Sequence, residues 1–176
     1  MQRVVVVGSS GSGKTTVARE LARTLGVKHV ELDALHWGPD WTEASPDELR
    51  EAVAREIDGG AGWVVDGGYH GKLGDFVLER ADTVVWLDLP LGTCLIRLWH
   101  RTLHRLRHDV ELWSGNRDTW RGAFWSRESL FWWTIRHHGA RRRRAPARFA
   151  RLPNLDVVRL RTPREVDAWL ASETRE

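Results

Sequence analysis

The chain switches between two hydrophobic periods. Arg3 opens the unbroken apolar run Val4-Val5-Val6-Val7, the pattern of a central parallel strand buried on both faces. From Lys14 to Leu25 the apolar residues Val17, Leu21 and Leu25 fall on one helical stripe, with Gly26 placed to stop it. Val30 to Asp33 reads as a second strand, followed by a loop, Ala34 to Trp41, of aromatic residues and turn formers. Ser45-Pro46-Asp47-Glu48 is a capping box that starts a helix ending near Asp58. Trp63 to Asp66 predicts a third strand, Leu73 to Arg80 a short helix, and Thr83 to Asp88 a fourth strand. Leu95, Leu98, Trp99, Leu103 and Leu106 make the apolar side of a helix over Leu91 to His108, and Trp120, Phe124, Phe131 and Ile135 that of another over Asp118 to His138. Arg141 to Arg144 and Pro146 are expected beyond the end of that helix. Asp156 to Leu160 is a fifth strand, and Thr162-Pro163-Arg164-Glu165 caps the last helix. Strands alternating with helices predict an α/β fold with a parallel sheet and right-handed crossovers, as one domain over residues 1–176.

Composition narrows the setting. A single cysteine, Cys94, excludes an intramolecular disulfide and fits a reducing compartment. No apolar stretch is long enough to span a bilayer and the N-terminus lacks signal-peptide architecture, so a cytoplasmic protein with no membrane partner is expected. The net charge of +3 is uneven: Arg101 to Arg151 holds 13 arginines against four acidic residues, so the remaining chain is acidic. Such a block points to a polyanionic ligand or partner.

The chemistry begins where the first strand meets the first helix. Gly8-Ser9-Ser10-Gly11-Ser12-Gly13-Lys14-Thr15, followed by Thr16, has the spacing and both flanks of a P-loop. Glycines let the backbone N–H groups turn inward toward phosphate, and the helix N-terminus adds its own N–H groups and dipole. Lys14 would reach the β- and γ-phosphates and Thr15 would ligate Mg²⁺. The expected ligand is therefore a nucleoside triphosphate. Ligands of open parallel sheets bind beyond the C-terminal strand ends. That places Asp33 and Trp37 after strand two, and Asp66, Gly67, Tyr69 and His70 after strand three, beside the loop.

These residues, with Leu32-Asp33-Ala34-Leu35-His36-Trp37, Trp63 to Gly67 and Arg97-Leu98-Trp99-His100-Arg101, resemble the nucleotide-kinase-like P-loop phosphotransferases. Adenylate, shikimate and gluconate kinases belong to that group. Within it the chain looks most like bacterial adenylate kinase-related proteins labelled topology modulation proteins. The resemblance implies a P-loop NTPase fold with a five-stranded parallel sheet in the order 2-3-1-4-5, and a mobile lid between strands four and five. The Arg/Trp-rich insertion, about residues 102–150, falls where that lid belongs. It also implies that Arg97 lies against the adenine, that Arg101 contacts the phosphates, and that Asp66 helps hold Mg²⁺ through water. Adenylate kinase continues after the matching Asp-Gly with an acceptor-binding arginine. Here the run is Gly68-Tyr69-His70, so that arginine is missing. Glu31-x-Asp33 instead resembles the paired acids of shikimate kinase, and a carboxylate at Asp33 suits a hydroxyl acceptor whose proton a base can take. Glu31 could face either way.

The expected activity is transfer of the γ-phosphoryl of ATP to a small acceptor, of the nucleotide or nucleoside kinase kind or of the shikimate and gluconate kinase kind. Two rivals stand beside it: a nucleic-acid-associated ATP-binding protein using the Arg141 to Arg144 run, and a nucleotide-binding or hydrolysing module with no acceptor. Arg117, Arg121 and Arg127 are further lid candidates. Trp37 and Trp41 form either an acceptor wall or core. His100, His104 and His108 share one helix face, as part of a polar stripe or as a metal site.

Overall fold

The strand Arg3–Gly8 (β1) stands at the centre of the sheet because both of its faces are apolar. Val5 and Val7 enter one buried cluster, and Val4 and Val6 enter a second on the opposite face. At about 1.5–3 kcal/mol for each fully buried aliphatic side chain, β1 alone binds the two helical layers together. A computed structural model of the chain describes residues 1–125 and 129–174. The other strands are Lys28–Glu31 (β2), Trp63–Asp66 (β3), Thr83–Leu87 (β4) and Asp156–Leu160 (β5), all parallel, in the order β2-β3-β1-β4-β5. The P-loop NTPase fold expected from the sequence is thus present, strand order included.

The helices are Lys14–Leu25 (α1), Leu32–His36 (α2), Pro46–Ile57 (α3), His70–Leu73 (α4), Leu91–Arg107 (α5), Trp120–Phe124 (α6), Leu130–Phe149 (α7) and Pro163–Glu173 (α8). α1 and α8 cover one face through Val17, Leu21 and Val166. α3 covers the other through Leu49, Val53 and Ile57, and the predicted capping box is formed, with Glu48 N–H donating to Ser45 Oγ. The short elements bracketing the site differ most from expectation. β2 ends at Glu31, and Leu32 starts a helical turn that places Asp33 inside α2 instead of at a strand end. Leu32 is 1% exposed, and this turn buries it. The helix expected over Leu73 to Arg80 is instead α4 plus a 3-10 turn at Leu78–Arg80, interrupted at Gly74, whose φ of 56° no helix admits.

The insertion also departs from the predicted pattern. The helix expected over Asp118 to His138 is represented by α6 and α7, and Arg127 lies outside the described residues. α7 runs on through Arg141 to Arg144 and Pro146. A proline there removes one helical hydrogen bond. Contacts of the last turn hold it: Phe149 is 5% exposed and meets Trp86 edge-on, while Arg148 bonds to Asp75 and to the Gly74 carbonyl. Outside, Trp99, Phe124 and Phe131 join α5, α6 and α7 in an aromatic cluster, beside which Trp120 and Trp125 remain exposed.

Candidate functional site

The loop from Gly8 to Thr15 is held from below and from the side. Gly11 has φ 79°, and a Cβ there would lie 2.1 Å from the Cys94 carbonyl oxygen, so the loop meets the backbone of α5 directly. Gly13, at φ 93°, is the N-cap of α1, whose first turn carries no acidic residue to repel an anion. Lys14 Nζ donates to the Ser9 carbonyl at 3.2 Å, across the mouth of the loop. Burial pulls its ammonium below the ordinary lysine value, against the opposing pull of Asp66 and Asp33. The Ser12 hydroxyl is buried without a partner among the described residues. Thr15 is half-buried, and Thr16 faces outward.

Opposite Lys14 stands an acidic wall. Glu31 and Asp66 are register partners on neighbouring strands, so both strand ends deliver a carboxylate to one edge. Glu31 therefore faces the site: its pKa is raised by burial first, then by Asp66, while the Trp113 indole beside it works the other way. Asp66 is 4% exposed and its Oδ2 has no hydrogen-bond partner among the described residues; His29 Nε2 approaches to 3.9 Å. Asp33 accepts a hydrogen bond from the Tyr69 hydroxyl at 2.6 Å. Burial and this carboxylate raise the Tyr69 pKa, so the phenol stays protonated and donating. Gly67 takes φ 133°, a conformation a side chain strains, with Leu32 close against it at 3.1 Å from where a Cβ would stand. His70 is desolvated beside Arg148 and Arg141, which bring its pKa down to about 4.

The sequence-predicted arginines divide. Arg97 Nη1 donates to the Ser12 carbonyl at 3.3 Å, against the loop. Arg101, one turn on, keeps water access but feels Asp33, Asp118 and Asp66; crowding by protein and Arg105 beside it lower its pKa. Arg117 does not face the site: it pairs with Asp109 and Glu111 within its own loop. Of the tetra-arginine run, Arg142 Nε pairs with Asp88 Oδ1 at 2.8 Å, and Arg141 lies over the Trp133 ring at 4.3 Å. Arg141 Nη2 stands 4.0 Å from where a Cβ on Gly68 would sit. His104 and His108 stack on each other, and no group of three or more metal-ligating side chains forms among the described residues.

Two loops form a roof. Trp37 packs edge-on against His36 and Trp41, while His36 also meets the Tyr69 ring. Trp37 is thus packed among aromatic rings beside Tyr69. Asn116, 5% exposed, donates to the Gly38 and Trp113 carbonyls at 2.8 Å each and accepts from Trp41 N–H. Ser114 Oγ donates to the Trp37 carbonyl. The loop after α2 is thereby fastened to the loop after α5.

Several of these residues were not singled out from sequence. His138 and Ser9 meet across 129 positions (Oγ···Nδ1 2.8 Å), and Asp88, 3% exposed, gathers Arg142 and Arg159. Neither constellation has a local motif; only the strand-terminal position of Asp88 was a signal.

Residues 4–118 match a protein family described as "AAA domain". The chain is similar to the uncharacterized protein YqaC of Bacillus subtilis, 27% identical over 110 residues, covering 62% of this chain and 61% of that protein. It is 32% identical over 111 residues to a shikimate kinase of Sulfurihydrogenibium sp., covering 56% and 67%. It is 29% identical over 100 residues to a cytidylate kinase of Thermococcus sibiricus, covering 50% and 51%. The matched stretches thus span about half to two thirds of these relatives. Among solved structures, shikimate kinase from Acinetobacter baumannii in complex with shikimate superposes with a TM-score of 0.57 over 98% of this chain and 90% of that one, at 17% identity, a likeness of fold.

Proposed function

The chain belongs to the P-loop AAA-domain family and is distantly homologous to shikimate and cytidylate kinases, and from that footing we propose that it transfers the γ-phosphoryl group of ATP to a hydroxyl of a small acceptor. The observation that carries the reading is Asp33, bonded to Tyr69 and lying within the electrostatic reach of Lys14. A carboxylate held there takes the acceptor proton as the phosphoryl group arrives, and Lys14, with the loop N–H groups, stabilises the charge spreading over the transferring oxygens. Arg97 lies against the loop at the Ser12 carbonyl, where it would meet the nucleotide, and Arg101, one turn on, would contact the phosphates. Mg²⁺ fits the donor set, since Asp66 offers an unshared carboxylate oxygen and Thr15 a hydroxyl at the helix start. When bound it supplies neutralisation of the phosphate charge.

The acceptor sits over Asp33, Asp66, Gly67, Tyr69 and His70, bordered by Trp37. The arginine missing after Gly67 has a spatial substitute in Arg141, delivered by α7 to Gly68. An acceptor carrying an anionic group beside its hydroxyl, whether a nucleotide or a small acid, suits that cation. The nucleic-acid reading loses support from the same helix: Arg142 is occupied by Asp88 and Arg141 turns to the site. The test is a screen of nucleosides, nucleotides, sugars and small hydroxy acids with MgATP, read by product mass. A phosphorylated product is expected, lost in Lys14→Ala and reduced at least about a hundredfold in Asp33→Asn. Full transfer by Asp33→Asn overturns the base assignment, and ATP turnover with no product in any arm overturns the kinase reading.

A further inference from the structure

The donor loop has a partner outside any local motif. Ser9, its second residue, meets His138 of α7 at 2.8 Å between Oγ and Nδ1, and the same serine accepts Lys14 at its carbonyl. His138 is 9% exposed and is not free to swing away: one turn further, Arg142 is ion-paired with Asp88, and Asp88 is held again by Arg159 Nη2 at 2.6 Å. α7 is thus pinned to the C-terminal edge of the sheet with an imidazole directed at the loop. We propose that His138 is a positioning residue of the donor site, which sets the Ser9 hydroxyl so that its proton points to a bound phosphate.

Burial first, and then the positive charge of Arg142, lower the pKa of the ring against the opposing pull of Asp88, so it is neutral near pH 7. A neutral imidazole bears one N–H. With that proton on Nδ1, His138 donates to Ser9 Oγ, uses one oxygen lone pair and leaves the serine O–H to donate onward. The onward acceptor in line with a P-loop is a phosphate oxygen, and a hydrogen bond to a charged oxygen is about twice as strong as a neutral one. His138 touches no substrate; it acts through Ser9.

The inference rests on nucleotide binding at Gly8 to Thr15 and is tested on that step alone, without the acceptor. Magnesium and a fluorescent N-methylanthraniloyl-ATP are titrated into the full chain and into Ser9→Ala, His138→Ala, His138→Asn and the double alanine variant, with thermal unfolding of each. Each single alanine should weaken binding about five- to tenfold. The double variant should be no weaker than Ser9→Ala, because the histidine has no other route to the phosphate. Asparagine, whose amide can stand near the Nδ1 position, should restore most of the affinity, whereas a merely structural role would leave affinity unmoved in every variant that folds. Unchanged binding in His138→Ala, losses that multiply in the double variant, or an asparagine variant as weak as alanine each overturns the proposal. Should His138→Ala not fold, Ser9→Ala reads the same bond from the loop, and unchanged binding there overturns it equally. Failure of the unaltered chain to bind the probe overturns the nucleotide reading itself, and the inference with it.

Discussion

Two glycines with nearly the same backbone conformation separate strain from space. Gly11 has φ 79° and Gly26 has φ 66°, so an alanine at either adopts a left-handed conformation at about 1–2 kcal/mol. The surroundings differ. At Gly26, the C-cap of α1, an added Cβ meets nothing within 4 Å. At Gly11 it would stand 2.1 Å from the Cys94 carbonyl oxygen and 3.2 Å from Leu98 Cβ, and both residues are 0% exposed, so neither can yield into solvent. Forcing a methyl into such packing adds about 1–3 kcal/mol. Gly26→Ala should therefore cost about 1–2 kcal/mol and Gly11→Ala about 2–5 kcal/mol. In a chain of this length 1 kcal/mol lowers Tm by roughly 2–4 °C, so the packing difference of about 1–3 kcal/mol separates the variants by about 2–12 °C. Circular-dichroism melts of both variants give the comparison. Titration with the fluorescent ATP analogue adds a functional arm, where Gly26→Ala should bind normally and Gly11→Ala weakly. Equal melting temperatures would refute the argument that α5 and the loop are in backbone contact.

Three further outcomes follow from the site. Tyr69→Phe removes the donor to Asp33; with Asp33 part-exposed and water able to replace the hydroxyl, Tm should move little, while transfer to whichever acceptor the screen identifies falls about tenfold and ATP affinity stays constant. His70 titrates near 4 in the fold against about 6.5 unfolded, so on acidification the unfolded chain takes up the proton first; stability should decline from about pH 6.5 to 4, by up to about 3 kcal/mol, and denaturant titrations of His70→Asn should show a shallower slope. Asn116→Ala strands two carbonyls and one N–H in the roof; it should cost about 1–3 kcal/mol and raise amide exchange in residues 37–43 and 111–117 together, whereas a rise in only one loop would show that they are not fastened.

How far the sequence carried depends on how local each feature is. β1 was legible because four consecutive valines admit only a strand with two dry faces, and the loop after it because its glycines and Lys-Thr are adjacent in the chain. The ends of β2 and α4 were not, because burial of Leu32 and the positive φ of Gly74 are decided by neighbours from other elements. α7 defeated a reading based on breakers: Pro146 looks like a stop, yet Phe149 and Arg148 anchor the turn that follows it. Within the site, Lys14 was found from the loop motif and Asp33, Asp66 and Tyr69 from their expected places after strands two and three; Lys14 feels both Asp66 and Asp33, and Tyr69 bonds to Asp33. His138 and Asn116 were beyond reach because Ser9 is 129 positions from the one, and Trp41 and Gly38 are 75 and 78 from the other; Arg141 was visible only as part of a charged run, because composition alone cannot tell an arginine over a tryptophan from one in solvent.

The pinned ends of the insertion also bear on the thermodynamics of closure. On its near side, Leu98 and Thr102 of α5 are buried, Leu98 against Gly11 of the loop; on its far side, His138 and Arg142 tie α7 to the loop and to Asp88. A free segment that had to gather its two ends before gripping a ligand would lose loop-closure entropy at every encounter, growing as the logarithm of its length. Here that loss is incurred once, during folding.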